Sequence, residues 1–284
     1  MKSKFHIMKN ILLLTDFSNN SINAIRYALN LFENDSCHFY ILHAESPQNY
    51  TTDDLILAGN KSVYDSVIKE SKQKLAKLVT GFKSEFKNNN FKYHIIVDYD
   101  SLTDAINQVV KANIIDLIVM GTNGITGAKE VVFGSNTTNV IRDINCPTLI
   151  VPEGFIFRKT NEILLSLDPQ DALSGNAFSN TSKFADRFSK KMHALRIKPS
   201  SENSTEEKKD KKHLNYFLKN INSEYHIVND IPMNYVVDFY IQTHKIDLMV
   251  LLVQPERLLE RFFMGSPTTR ISNSIRVPLL VFHT

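Results

Sequence analysis

Asp116-Leu-Ile-Val-Met120 runs directly into Gly121-Thr-Asn-Gly-Ile-Thr-Gly-Ala-Lys-Glu-Val-Val-Phe-Gly-Ser-Asn-Thr-Thr138. The apolar run reads as a strand buried on both faces, the residues from Gly121 onward as a glycine-bearing loop, and Gly134-Ser135 with Asn136, Thr137 and Thr138 as a capped helix start. Gly121 and Gly124 permit positive φ and close backbone approach. Free N–H groups at a helix start attract anions, phosphate above all. The loop takes about thirteen residues where strand-to-helix connections usually take roughly two to six, and loops of that length usually hold something.

Working outward, Asn10–Thr15 is another continuous apolar run, closed by Asp16-Phe17-Ser18, and Ile22, Ile25, Leu29 and Phe32 recur at helical spacing behind a Ser18 or Asn19 cap. Cys37–Ala44 reads as a second strand, residues 46–60 as loop, 61–86 as a long helix, Tyr93–Val97 as a third strand and Leu102–Val110 as a helix. After the opening stretch a helix runs to about Asp143, and Cys146–Pro152 holds a fifth strand bounded by prolines. Strict strand–helix alternation with apolar strands predicts an α/β, doubly wound, Rossmann-like parallel sheet of order 3-2-1-4-5.

The pattern then repeats. Glu162–Asp168 matches Asn10–Asp16 at an offset of 152. At an offset of 131, Asp116-Leu117 matches Asp247-Leu248, Gly134-Ser135 matches Gly265-Ser266, Thr137-Thr138 matches Thr268-Thr269 and Pro147 matches Pro278. The chain therefore divides into a domain over 1–154 and a shorter copy over 155–284. In the copy, Pro199–Thr205 reads as loop, 206–222 as helix, Tyr225–Asn229 as strand, Met233–Thr243 as helix, and Asp247–Val253 and Pro278–His283 as strands.

Composition sets the remaining bounds. A chain of 284 residues with 43% apolar and 22% charged residues can bury a sizeable core, and its net charge of +3 is too small to argue for nucleic acid. The two cysteines, Cys37 and Cys146, form no CxxC pair, and the nine histidines show no metal-ligand spacing, so neither a disulfide scaffold nor a zinc site is supported. Cys146 reads as a small buried side chain and His43 as a packed or hydrogen-bonded residue rather than a base. No apolar run suffices for a signal-peptide core or a membrane span, which predicts a cytoplasmic protein.

Ligands of open parallel sheets bind beyond the carboxyl ends of the strands where strand order reverses. Asp16 ends strand one and Gly121 ends strand four, the two strands that flank the reversal. The loop is no Walker P-loop, because no GKS or GKT follows its glycines, and no dinucleotide fingerprint, because the glycines follow strand four rather than strand one. Its spacing, Gly, two residues, Gly, nine residues, Gly-Ser, resembles the nucleotide-binding branch of the universal stress protein family. Thr15-Asp16-Phe17-Ser18, Leu42-His43-Ala44, Val119-Met120-Gly121 and Cys146–Val151 also match, and the tandem resemblance covers nearly the whole chain.

The resemblance implies an adenine nucleotide alpha hydrolase-like fold and ATP, accompanied by a metal ion such as Mg2+. Thr15, Asp16, Ala44 and Met120 would surround adenine, Gly121 and Gly124 would line the ribose and phosphate path, and Gly134, Ser135 and Asn136 would donate to the phosphates. One departure is Ile125, where many members carry Arg or Lys after the second glycine; this implies a modest affinity unless Lys129 substitutes.

In the copy, Leu252 and Pro255 replace Gly121 and Gly124, and Pro267 stands where Asn136 offers a donor N–H, so one competent site is expected, in the first half. The resemblance also implies pairing through the last strands, which a tandem chain can make internally as a pseudo-dimer, and further pairing into a homodimer. The leading function is a nucleotide-dependent regulator or sensor of stress that acts on a regulatory protein. The alternatives are slow ATP hydrolysis or phosphoryl transfer, and a scaffold without nucleotide; no catalytic residue is assigned.

Overall fold

The apolar runs become the strands. The structure, a computed structural model, describes residues 9–45, 61–122, 134–169, 171–200, 205–253 and 276–284. The first half carries β1 (Asn10–Leu14), α1 (Asn19–Leu31), β2 (Cys37–Ala44), α2 (Lys61–Glu85), β3 (Phe91–Asp98), α3 (Leu102–Asn113), β4 (Leu117–Gly121), α4 (Ser135–Asp143) and β5 (Thr148–Val151). The second half carries β6 (Glu162–Leu167), α5 (Gly175–Phe188), β7 (Lys191–Lys198), α6 (Thr205–Phe217), β8 (Asn222–Asn229), α7 (Met233–Thr243), β9 (Leu248–Val253) and β10 (Leu279–His283).

By packing, the chain divides into one compact unit over His6–Gly121 and another made chiefly of Thr122–Thr284. In the first unit the strand order is β3-β2-β1-β4, all parallel. In the second it is β5-β10-β9-β6-β7-β8, parallel except for the antiparallel β5–β10 pair. The doubly wound class is as expected, and the order 3-2-1-4-5 is complete in the second unit as β8-β7-β6-β9-β10. The packing division differs from the repeat boundary at Gly154, because β5 pairs with the last strand of the copy: Ile150 lies opposite Leu279 and Thr148 opposite Val281.

β1 explains why its run has no polar residue after Asn10. It pairs with β2 on one side and β4 on the other, and Ile11, Leu12 and Leu13 are wholly buried. Burying each such side chain contributes about 1.5–3 kcal/mol. β6 takes the same place in the copy, between β7 and β9.

The matched aspartates of the repeat do the same work twice. Asp116 Oδ2 accepts the N–H groups of Lys9 and Asn10 at 2.8 and 3.0 Å, and Asp247 Oδ2 accepts those of Asn161 and Glu162 at 2.9 and 3.2 Å. Each carboxylate thus satisfies donors at the start of a central strand.

Two sequence expectations are corrected. The helix expected to reach Asn222 ends at Phe217, because Lys219-Asn220 form a turn and Asn222 donates to Lys190 O (3.2 Å), which draws it into the sheet. Residues 175–198, where patterning assigned no element, form α5 and β7.

Candidate functional site

β1 hands the chain to a tight turn. Thr15 is buried and donates its N–H to Leu42 O (3.0 Å), while its Oγ lies 3.0 Å from Ser21 Oγ and accepts the Phe17 N–H at 3.0 Å. Asp16 Oδ1 accepts the Ser18 N–H (3.0 Å), and Ser18 Oγ caps α1 by accepting the Ser21 N–H (3.2 Å). Phe17 lies at φ 65, a left-handed conformation that costs of order 1 kcal/mol for a residue with a side chain. The turn leaves Asp16 exposed. Partial burial pushes its carboxyl up, but hydrogen bonds from Ser18 and Ser21 outweigh this and hold it below the usual range, so it is ionised at neutral pH.

His43 fastens the turn from β2. Its Nδ1 lies 2.8 Å from Thr15 O, which can only accept, so Nδ1 carries the hydrogen. Nε2 lies 3.1 Å from Glu45 Oε1, an ion pair when the ring is protonated, and the Phe17 ring packs on the imidazole with centroids 4.4 Å apart. Ser71 of α2 donates to the same Glu45 oxygen at 2.5 Å. Ser71 therefore gives its proton to a carboxylate and not to the imidazole, an arrangement that does not activate a serine nucleophile. Glu45 and Ser71 were invisible to sequence reasoning, since only folding brings α2 to the end of β2.

Ala44 is partly exposed and Met120 is buried. Gly121 closes β4, and it is not among the glycines with positive φ. What demands glycine is space: a Cβ there would stand 2.9 Å from Asn20 O of α1. This is the close backbone approach that the sequence allows at Gly121, while the positive φ it also allows there is not used. Gly124 lies outside the described residues, as do Ile125, Lys129, Pro255 and Pro267.

In the second unit, Gly134 is the N-cap of α4, no side chain caps the helix, and Gly134, Ser135 and Asn136 are all exposed. A helix start without an acidic residue or a capping side chain keeps its N–H groups and positive dipole end for solvent or an anion.

The turn after β6 is built differently. Arg196 of β7 is 2% exposed and donates to the carbonyls of Asp168 (2.5 Å), Pro169 (3.3 Å) and Asp171 (2.8 Å). Its Nε meets Asp210 Oδ2 at 2.5 Å, which also accepts from Tyr225 at 2.6 Å. Burial pulls the guanidinium pKa down, but the bond and charge of Asp210 raise it overall. Leu252 is wholly buried. Sequence reading missed Arg196, although a cation inside the apolar run Met192–Ile197 was a visible cue.

Comparisons with known proteins agree with this architecture. The universal stress protein MJ0531 of Methanocaldococcus jannaschii is 27% identical over 146 residues, covering 51% of this chain and 83% of that protein. The universal stress protein MJ0577 of the same organism is 29% identical over 152 residues, covering 50% and 94%. A universal stress protein from Archaeoglobus fulgidus has the same fold over 97% of this chain and 98% of its own, with a TM-score of 0.74 at 15% identity. The Universal stress protein family matches residues 8–152, just over half of the sequence, and the chain belongs to that family.

Proposed function

We propose that the protein is an ATP-binding regulator of the stress response with one competent site, formed by first-half residues. The observation that carries this reading is the spacing of Gly121, Gly124 and Gly134-Ser135, which starts at the end of β4 and finishes at a helix start with no side-chain cap. Thr15, Asp16, Ala44 and Met120 would hold the adenine side, and Gly134, Ser135 and Asn136 the phosphates. The exposed, ionised Asp16 fits a role as hydrogen-bond acceptor for such a ligand. Mg2+ would enter with the triphosphate.

A universal stress protein crystallised in complex with cAMP has a TM-score of 0.31 to this chain, too low to transfer contacts. In the copy, the turn carbonyls are already taken by Arg196, which supports a single site. Among the described residues no helix is long and apolar enough to cross a membrane. We place the protein in the cytoplasm, with the β5–β10 pair serving as the internal counterpart of a dimer contact, a homodimer beyond it, and a regulatory protein as partner.

The test is titration calorimetry of ATP with Mg2+ on the full chain, together with mass spectrometry of nucleotide released from purified protein. One ATP per chain is expected, and Asp16→Ala, at an exposed position, should weaken binding about tenfold, or about 1.4 kcal/mol. Absence of ATP binding in the wild type, or two equivalent sites, would overturn the reading.

A further inference from the structure

Three metal-ligating side chains from two neighbouring strands meet on one sheet face of the second unit. Parallel register sets His193 of β7 beside Glu224 of β8, and the two-residue strand period puts His226 on the same face as Glu224. His193 Nδ1 lies 3.3 Å from Glu224 Oε2, which lies 3.6 Å from His226 Nε2. All three ligand atoms fall within 4.8 Å of one another. Ligand atoms around a tetrahedral ion with bonds of about 2.0–2.2 Å sit about 3.4 Å apart. Two of the three edges already have that length, and the His226 side chain, 46% exposed, is free to adjust the third.

The surroundings prepare these atoms. Glu162 Oε2 of β6 lies 2.8 Å from His193 Nε2 and fixes the hydrogen there, which leaves the Nδ1 lone pair toward Glu224. Lys191 Nζ holds Glu224 Oε1 at 2.8 Å and so turns Oε2 toward the histidines. Tyr240 of α7, 2.7 Å from Nδ1 and stacked on His244 with centroids 3.9 Å apart, supplies a proton to that lone pair in the chain without metal. Burial pushes the His193 pKa down against the pull of Glu162, and the Lys191 hydrogen bond holds Glu224 low. Neutral imidazole and ionised carboxylate are the forms that bind metal.

We propose that His193 Nδ1, Glu224 Oε2 and His226 Nε2 bind one divalent transition-metal ion of the zinc type, with a water molecule as fourth ligand and Tyr240 turning its hydroxyl aside. Two imidazole nitrogens favour zinc and its neighbours over magnesium or calcium. The ion would pin β8 to β7.

The experiment uses the full chain without an affinity tag, stripped by a chelator and free of nucleotide. Zn2+ is titrated against a chromogenic competitor, and Co2+ is followed by its visible absorption. One Zn2+ per chain, a four-coordinate Co2+ spectrum and a rise in Tm with Zn2+ are expected. His226→Ala and Glu224→Gln, both at partly exposed side chains, should each weaken Zn2+ at least tenfold and remove the Tm shift while circular dichroism stays unchanged. Two results would each sink the proposal: Zn2+ binding weaker than about 100 µM in the wild type, or Zn2+ binding that survives both variants and is lost instead on His38→Ala with His94→Ala, the stacked pair of the first half.

Discussion

The turn after β1 and the turn after β6 occupy the same place in the repeat, yet Asp16 of the first is exposed and Asp168 of the second is buried. Register makes the comparison exact to the rung. Leu14 lies beside Leu42, so Thr15 comes next to His43, while its repeat counterpart Leu167 lies beside Arg196. His43 reaches one turn carbonyl, that of Thr15, whereas Arg196 reaches three and also carries Asp210. An imidazole can fasten a turn from its edge; a guanidinium with five donors fills it. On the proposed single-site reading, divergence after duplication closed the second turn through a cation on the neighbouring strand as well as through the loss of glycine at Leu252.

The harshest way to break this comparison is Arg196→Met, which leaves Asp210 buried without its cation. A loss of about 3–5 kcal/mol is expected in denaturant unfolding, and adding Asp210→Leu should recover most of it. Recovery would show that the arginine plugs the turn rather than holding the fold together. Next, Gly121→Ala should cost about 1–3 kcal/mol, because its Cβ would press on Asn20 O. Gly134→Ala, where a Cβ meets nothing within 4 Å, should cost less than about 1 kcal/mol. Equal losses at the two glycines would contradict the geometry given for Gly121.

His43→Arg installs the plug of the second turn in the first. ATP affinity measured by calorimetry should fall at least tenfold, about 1.4 kcal/mol; unchanged binding would mean that filling this turn does not matter.

The halves also differ where their last strands end, with Pro152 in one and His283 in the other. Burial pushes the His283 pKa down, against the bond from its Nε2 to Ile141 O (2.7 Å). The unfolded chain then takes up this proton first, so its contribution is complete above about pH 6.5 and is lost as pH falls from there toward the folded value. The slope is at most about 1.4 kcal/mol per pH unit. Urea midpoints between pH 7.5 and 5.5 should show it, and His283→Phe should reduce the slope, leaving the part that buried His193 adds in the same direction.

Much of the fold could be read from local pattern. Cys37–Ala44 and Met233–Thr243 fall where the residues placed them, because an apolar run or a helical period is written in the segment itself. The two aspartates at an offset of 131 were visible as a match but not as a device, since the N–H groups they hold lie more than eighty residues away in sequence. For the candidate site, Asp16 and Gly134-Ser135-Asn136 were legible by motif and are exposed, while the close approach read at Gly121 has a partner, the backbone of α1, that no motif names. Glu45, Ser71 and Arg196 carried no motif at all.

Sequence alone determined the doubling, the strand–helix alternation and the family to which residues 8–152 belong, because periodicity and spacing are properties of the chain. Tertiary structure decided which turn an arginine fills and which residues become neighbours. Linear spacing gave no sign of a metal site among the histidines, yet His193, Glu224 and His226 lie together because the register of β7 on β8 puts distant positions on one face. Strand register is set by the packing of whole strands, and no local stretch of sequence contains it.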